Sequence, residues 1–494
     1  MFLTQLHHFC LGSNVKLILR FRPLENTKQM PTSSGKQVAG GTMKFLRIGV
    51  AAFAIVTIVA NGVSAHTLTD ALIKAYRNSA QLKSEQASLR ATDEGVAQAW
   101  AALRPTLSGT ATGTRTHFFS TGNRTTSDSL ALSASLLMWD GGNTELGVEV
   151  ARMAVVMARE GLNDIEQQVL LNAVVAFMDM RRDAQFLQLA DSNRRVIAKQ
   201  VQAAKDRFEV GEIRRTDVSQ AEARLAGALS IVAIRQGNLE IAREAFHVAV
   251  GEYPDNLQSP PALPRIPSSI DAAKSISMRN HPTILRSRHL LKIADLNVLR
   301  AEAAMKVSIS LSGSLSVSST STETASISII GSVPIYSGGA LASAHRQTLA
   351  LQEKARADIQ LAGLLVSQNT TRYWAQLQIA KASITARQKE VRASRVALRG
   401  IREEADLGAR TTLDVLDAEA SLVGAETNIV AAKRDQYVAV YSLLSAMGLL
   451  TVNHLQLGIK TYDPNINYNA VSTAPPASDR GKLLEKIFTR AGKK

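Results

Sequence analysis

The nine residues from Asp217 to Leu225, DVSQAEARL, return as DVLDAEASL from Asp414 to Leu422, with six positions identical and an offset of 197 residues. Other landmarks keep that offset. Trp139-Asp140-Gly141-Gly142 meets Tyr336-Ser337-Gly338-Gly339, and Gly211 meets Gly408. Farther upstream, LRPTLSGT from Leu103 resembles MKVSISLSG from Met305 at an offset of 202, so the copies differ by about five residues between those points. Self-similarity over such a distance implies two halves built on one plan. Each half reads as a helix, two short alternating segments, a very long helix, a tight glycine turn and a returning helix. Prolines 254, 260, 261, 264 and 267 exclude helix between the halves and predict an extended strap.

No proline lies between Pro105 and Pro254, or between Pro334 and Pro464. Both windows are rich in Ala, Leu, Gln, Glu and Arg, which are good helix formers. Asn143 to Val210 contains only Gly147 and Gly161 as breakers; unbroken, it would reach roughly 100 Å. Its returning partner steps by threes and fours through Leu225, Ala228, Val232, Arg235, Leu239, Ala242, Phe246 and Ala249. Shifted by 197, the seam reads Leu422, Ala425, Ile429, Ala432, Gln436, Ala439, Leu443 and Ala446. This is coiled-coil patterning with many small residues, and these are packing positions.

The short segments have period two. Ile309, Leu311, Gly313, Leu315 and Val317 alternate with serines 308 to 318, and Ala325, Ile327 and Ile329 alternate with Thr324, Ser326 and Ser328. Such strands suit either a soluble sheet with one wet side or a membrane barrel with a watery lumen. Two strands per half give four per chain, and open edges are intolerable in lipid. Three pooled copies would supply the twelve strands of a closed barrel.

Met43 opens MKFLRIGVAAFAIVTIVANGVSA, in which Lys44 and Arg47 precede an apolar run from Ile48 to Ala60 and small residues at 63–65. That order predicts a signal peptide over 43–65, cleaved after Ala65. The apolar run is short for a membrane span of roughly 20 residues. Residues 1–42 read as an upstream extension. The formal charge of +15 falls to +9 without residues 1–65, which carry seven Lys/Arg against one Glu. Export and the lack of aromatic–basic interleaving argue against nucleic acid. The single cysteine, Cys10, excludes a disulfide framework. No phosphate loop, zinc helix or nucleophile elbow occurs, so neither cofactor, metal site nor enzyme is expected.

In this plan the chain resembles the TolC family of outer-membrane efflux and secretion ducts. The resemblance covers about Thr67 to Asp463. It rests on the duplicated helix-strand-strand-helix plan, the paired Gly-Gly segments, and FEVGEIRRTDVSQAEARL with ADLGARTTLDVLDAEASL. It implies an α+β membrane protein: a trimeric twelve-stranded outer-membrane barrel continued by a long α-helical coiled-coil barrel in the periplasm. Partners implied are two further copies, outer-membrane lipid, a periplasmic adaptor and an inner-membrane transporter. Expected divisions are a first repeat over 66–253, the strap over 254–268, a second repeat over 269–450, and a C-terminal equatorial segment with a mobile basic tail over 451–494.

Two residue groups follow from the resemblance. Asp217 and Asp414 each precede a helix and suit N-capping on chemistry alone. Asp414 and Asp417, three apart, share a helix face. In TolC-like ducts, aspartate rings make the periplasmic entrance cation-selective, and links among Asp, Arg and Tyr hold it shut. By motif, Asp414 and Asp417 fall on the rings, Arg410 on the linking arginine and Asp217 on its partner, while Ala405 stands at the tyrosine position. An Arg410–Asp217 pair is the first expectation, with Arg402 lying outside the motif. The turns Val210-Gly211-Glu212 and Leu407-Gly408-Ala409 match the adaptor-docking tips.

For cargo, the branches are type I protein secretion with an ATP-driven ABC transporter and multidrug efflux with a proton-driven RND pump. No cysteine follows the cleavage point, and TYDPNINYNAV from Thr461 resembles the secretion branch; secretion is the expectation. An exported coiled-coil scaffold would explain the helices but not the serine-alternating strands. The leader makes one direct prediction: protein taken from outer membranes should begin at His66 on N-terminal sequencing. Finding Met1, or an uncleaved leader, would refute it.

Overall fold

The computed structural model describes residues 67–254, 256–319 and 323–473, with residues 482, 483 and 486 of the basic tail. The leader and the cleavage point before His66 lie outside the described residues. The first half contains α1 (Leu68–Asn78), α2 (Ala80–Ala101), β1 (Thr106–His117), β2 (Arg124–Trp139), α3 (Asn143–Glu209) and α4 (Arg215–Val250). The second repeats it with α5 (Ile270–Asn280), α6 (Pro282–Ala303), β3 (Ser308–Ser318), β4 (Glu323–Ser332), α7 (Ala340–Asp406) and α8 (Thr412–Ala446). A further helix, α9 (Pro464–Val471), follows.

One expectation needs correction. A single helix was expected ahead of the strands, and each half has two. Capping residues make the break. Ser79 Oγ accepts from Leu82 N, and His281 Nδ1 accepts from Thr283 N, both at 3.2 Å. Pro282 then opens α6 at the position where its missing N–H costs nothing. In contrast, α3 and α7 run unbroken for 67 residues each, or about 100 Å. The Gly-Gly pairs turn strand into long helix, with φ of 70° and 89° at Gly141 and Gly142 and 60° and 82° at Gly338 and Gly339. At Gly141 a Cβ would lie 2.9 Å from Lys306 Cβ, so both backbone angle and space demand glycine there.

The four strands form one antiparallel sheet in the order β1-β2-β3-β4. Its register sorts the side chains by face. Ser108, Ser133, Ser314 and Ser326 make one row across all four strands, and Thr106, Ser135, Ser312 and Ser328 make another. Hydroxyls pair across β3 and β4 at 2.7 Å (Ser312–Ser328), 2.9 Å (Ser314–Ser326) and 2.7 Å (Ser316–Thr324). The opposite face carries Leu107, Leu130, Leu132, Leu315, Ile327 and Ile329. Leu130, Ile329 and Ile327 are 66%, 69% and 85% exposed. A soluble sheet would cover such a face, whereas lipid covers it in a barrel. Phe118 and Phe119 are exposed at one end, and Trp139 and Tyr336 at the other, as interfacial aromatics are. Three antiparallel pairings leave β1 and β4 as edges running in opposite directions. Copies can therefore join edge to edge into the twelve-stranded barrel. Among the described residues no helix is long and apolar enough to cross a membrane.

The main core sits midway along the long helices. Phe177, Leu170, Phe246, Leu443, Leu444 and Met447 pack there with Leu68 and Leu72 of α1 and Val452 and Leu457 beyond α8. The strap is non-helical, as its prolines require, and the Tyr437 hydroxyl donates to Pro261 O at 2.9 Å. Asp179 of α3 joins the two halves by accepting from Arg434 of α8 at 2.7 and 3.2 Å, and Arg182 adds 2.8 Å contacts to Asp179 and Asp183. α9 is tied to α2, with Asn467 Nδ2 donating to the buried Asp93 at 2.8 Å.

The face assignment is testable by cysteine scanning of membrane-embedded trimers. Ser133→Cys should react with a water-soluble, impermeant thiol reagent, and Leu132→Cys should stay protected. Leu132→Lys should cost about 2–4 kcal/mol, read as loss of heat-stable trimers.

Candidate functional site at the helical tips

Both hairpins end in one turn design. At the first tip Gly211 N donates to Phe208 O at 3.0 Å and Glu212 N to Arg207 O at 2.9 Å. At the second, Gly408 N donates to Ala405 O at 3.0 Å and Ala409 N to Glu404 O at 2.9 Å. Gly211 and Gly408 share a φ of 78°, a left-handed end that favours glycine. Val210 and Leu407, before each glycine, are 72% and 86% exposed. Large apolar side chains at the extremity of a helical pair leave both tips free for contact.

The aspartates then start the returning helices. Asp414 Oδ2 accepts from Thr411 N at 2.9 Å and Thr411 Oγ1 at 2.8 Å, while Thr411 Oγ1 accepts from Asp414 N at 3.3 Å. This is a reciprocal capping box. The Thr411 amide, then its hydroxyl, and more weakly the Arg410 charge hold the Asp414 carboxyl below its usual range. With a depressed folded value, the cap is fully present above the ordinary carboxylate range and is lost as pH falls through the depressed one. Asp217 makes half of this motif, accepting from Arg214 N at 3.2 Å. Capping thus accounts for Asp217 and Asp414. Asp417 does something else: its Oδ1 accepts from Arg224 Nη2 of α4 at 2.7 Å and bridges the two hairpins.

Arg410 does not pair with Asp217. Its Nε donates to Glu404 Oε2 at 2.8 Å, with both side chains about half exposed. Glu404 lies six residues back across the same turn, within reach of a short-range pair, whereas the Asp217 carboxylate is engaged at its own helix end. Asp217, Arg410 and Ala405 nonetheless line one cavity of about 320 Å³, with Gln220, Thr411 and Leu416. Space therefore adjoins Ala405, where the resemblance places a tyrosine. A neighbouring cavity of about 230 Å³ is lined by Gln200, Ala204 and Arg207 of α3 and by Arg402, Ala405 and Arg410.

Arg402 is the larger surprise. It donates through Nη2 to Glu419 Oε1, and Glu419 is 4% exposed. The ladder continues one heptad back, where Arg395 Nη2 meets Glu426 Oε1 at 2.8 Å. A sequence signal existed: arginines seven apart on α7 (Arg395, Arg402) and glutamates seven apart on α8 (Glu419, Glu426) are mirrored about the Arg410–Thr411 bond. Leu416, one turn before Glu419, packs into a small core with Ile197, Val201 and Ala204 of α3 and Ala221 of α4. Among the described residues no His/Cys/Asp/Glu group could hold a metal ion.

Comparison with known proteins places this architecture. The family described as outer membrane efflux protein matches residues 71–252 and 275–449. Outer membrane efflux protein BepC of Brucella suis is 35% identical over 412 residues, covering 82% of this chain and 90% of BepC. Alkaline protease secretion protein AprF of Pseudomonas aeruginosa is 26% identical over 341 residues, 66% of this chain and 69% of AprF. Among solved structures, CusC superposes with a TM-score of 0.69 at 19% identity, over 78% of this chain and 92% of CusC, which concerns the fold alone. With the duplicated hairpins, the two-faced sheet and its unpaired edges, these matches show that the chain belongs to the outer membrane efflux protein family, the TolC-like channels of the outer membrane that extend into the periplasm.

Proposed function

We propose that this chain is the outer-membrane duct of a three-part exporter and that it serves type I protein secretion. The observation that carries the duct is the sheet: apolar outside, hydroxyl-lined inside and closable only by pooling copies. Members of the family are homotrimers that work with adaptors and inner-membrane pumps. In our reading an adaptor engages Val210-Gly211-Glu212 and Leu407-Gly408-Ala409, which present exposed apolar side chains at the tips. An ABC transporter would then feed the duct. Protein cargo is supported by likeness to AprF and to the proteases secretion protein PrtF of Dickeya chrysanthemi, 24% identical over 299 residues. Small-molecule efflux through an RND pump is the second reading, and the 35% identity to BepC favours it.

The tip is the proposed entrance. Asp414 and Asp417, repeated three times around the axis, would give two carboxylate rings in a narrow passage, where low-dielectric walls focus the field. The Thr411 cap further favours the ionised form of Asp414. Arg410 and Asp217, on one cavity wall, would act in closure, Arg410 through Glu404 rather than through a direct pair.

Deleting the gene and comparing secreted proteins with drug susceptibility decides the cargo. Loss of one or more secreted proteins at unchanged susceptibility is the expected result; hypersensitivity with an intact secretome would establish efflux instead. In planar bilayers, Asp414→Asn/Asp417→Asn should lower cation selectivity and weaken block by multivalent cations. Unchanged selectivity would leave Asp414 a helix cap and Asp417 a bridge to Arg224.

A further inference from the structure

The duplication builds one ion pair twice, and within one chain it buries the carboxylate of only one copy. On the first hairpin, Lys205 Nζ meets Glu222 Oε1 at 2.8 Å, with both side chains about half exposed. Both residues shifted by 197 give Arg402 and Glu419. There the carboxylate is 4% exposed, and its second oxygen, Oε2, has no hydrogen-bond partner among the described residues. Arg402 supplies the neighbouring countercharge. The site lies where the α7–α8 hairpin meets α3: Arg402 shares a cavity with Gln200, Ala204 and Arg207, and Leu416, on Glu419's face, packs against Ile197 and Val201.

These surroundings rank the tip's ion pairs. Within one chain Lys205–Glu222 and Arg410–Glu404 are about half exposed, a setting in which water screens an ion pair and it contributes little. Glu419 differs. Removing its guanidinium leaves a charge in a dry site, and that penalty exceeds what the intact pair contributes. Such a carboxylate regains water only if α8 lifts away from α3. Making the carboxyl neutral removes the demand for a countercharge.

We propose that Arg402–Glu419 is the positioning pair that keeps the α7–α8 hairpin seated on α3 and so holds the entrance closed in this chain. The proposal rests on the reading of the tip as the entrance. Arg402 acts as the countercharge that permits a carboxylate at the hairpin junction. It was expected to be a bystander, and the geometry gives it a stronger hold than Arg410.

The test uses full-length trimers in planar bilayers, with entry of a large hydrophilic antibiotic as the cellular readout. Arg402→Ser should raise open probability by roughly tenfold or more, since an uncompensated buried charge is strongly destabilising. Arg402→Ser/Glu419→Gln should return the channel toward its native closed state, because no charge then remains to be hydrated. Lys205→Ser should behave as native. Hydrogen exchange on the same trimers should quicken over residues 412–423 in Arg402→Ser and recover in the double variant. Arg402→Gln carries the same comparison if the serine variant does not assemble. Opening by Arg410→Ser but not by Arg402→Ser would overturn the proposal and leave the entrance reading standing. Equal opening in the single and double variants would also overturn it. A channel unmoved by Arg402→Ser and Arg410→Ser alike would remove the entrance reading along with the proposal.

Discussion

Unpaired backbone in a bilayer is the constraint on which the rest depends. Each N–H and C=O on the outer edges of β1 and β4 would face hydrocarbon in a lone chain, at a cost of several kcal/mol per group. Four strands cannot curl far enough to meet. Only further copies satisfy those edges, and the opposed directions of β1 and β4 let each copy continue the sheet of the next. Closure then fixes the two faces. Leucines and isoleucines meet lipid, and the serine and threonine rows meet water.

That constraint reaches the helices through the glycine pairs. Gly141-Gly142 and Gly338-Gly339 convert strand directly into α3 and α7, so the barrel's order is handed on to helices of about 100 Å. Small residues let those helices lie close. The midlevel core around Phe177, Phe246 and Met447, with the Asp179–Arg434 tie between halves, anchors them well away from both ends. The tips have a thinner core of alanine, valine and isoleucine with Leu416. Motion is easiest where apolar burial is least, and that is where the charged residues gather.

Charge at the tip divides by hydration. Asp414, Asp217, Arg410 and Glu404 stay in contact with water or with their own helix ends, and their interactions are local. Glu419 is the exception: it is buried one turn beyond Leu416, which packs against α3 of the other repeat. Arg224–Asp417 likewise joins residues from different repeats. Each hairpin therefore carries its own caps, while the relation between hairpins rests on α3 and on these pairs.

Much of this was legible in the residues. Period-two serines gave the strands, three-four spacing gave the seams, and glycines marked both helical tips and both strand-to-helix turns, because these signals are local. The split of the first helix in each half was missed, although Ser79 and His281-Pro282 mark it, since a cap competes with helix continuation only weakly in sequence. The Arg410 partner was also misjudged: the short turn brought Glu404 closer than Asp217. By itself the sequence determined that Lys205–Glu222 and Arg402–Glu419 hold matching places, because each cation stands six residues before, and each glutamate eleven after, the glycine of its own antiparallel hairpin. Only the tertiary structure decided that, within one chain, the Glu222 carboxylate stays half exposed and the Glu419 carboxylate is buried, while both cations remain about half exposed. Desolvation is set by whatever packs alongside, and the face of α8 that carries Leu416 and Glu419 meets Ile197 and Val201 of α3, some two hundred residues away in the chain.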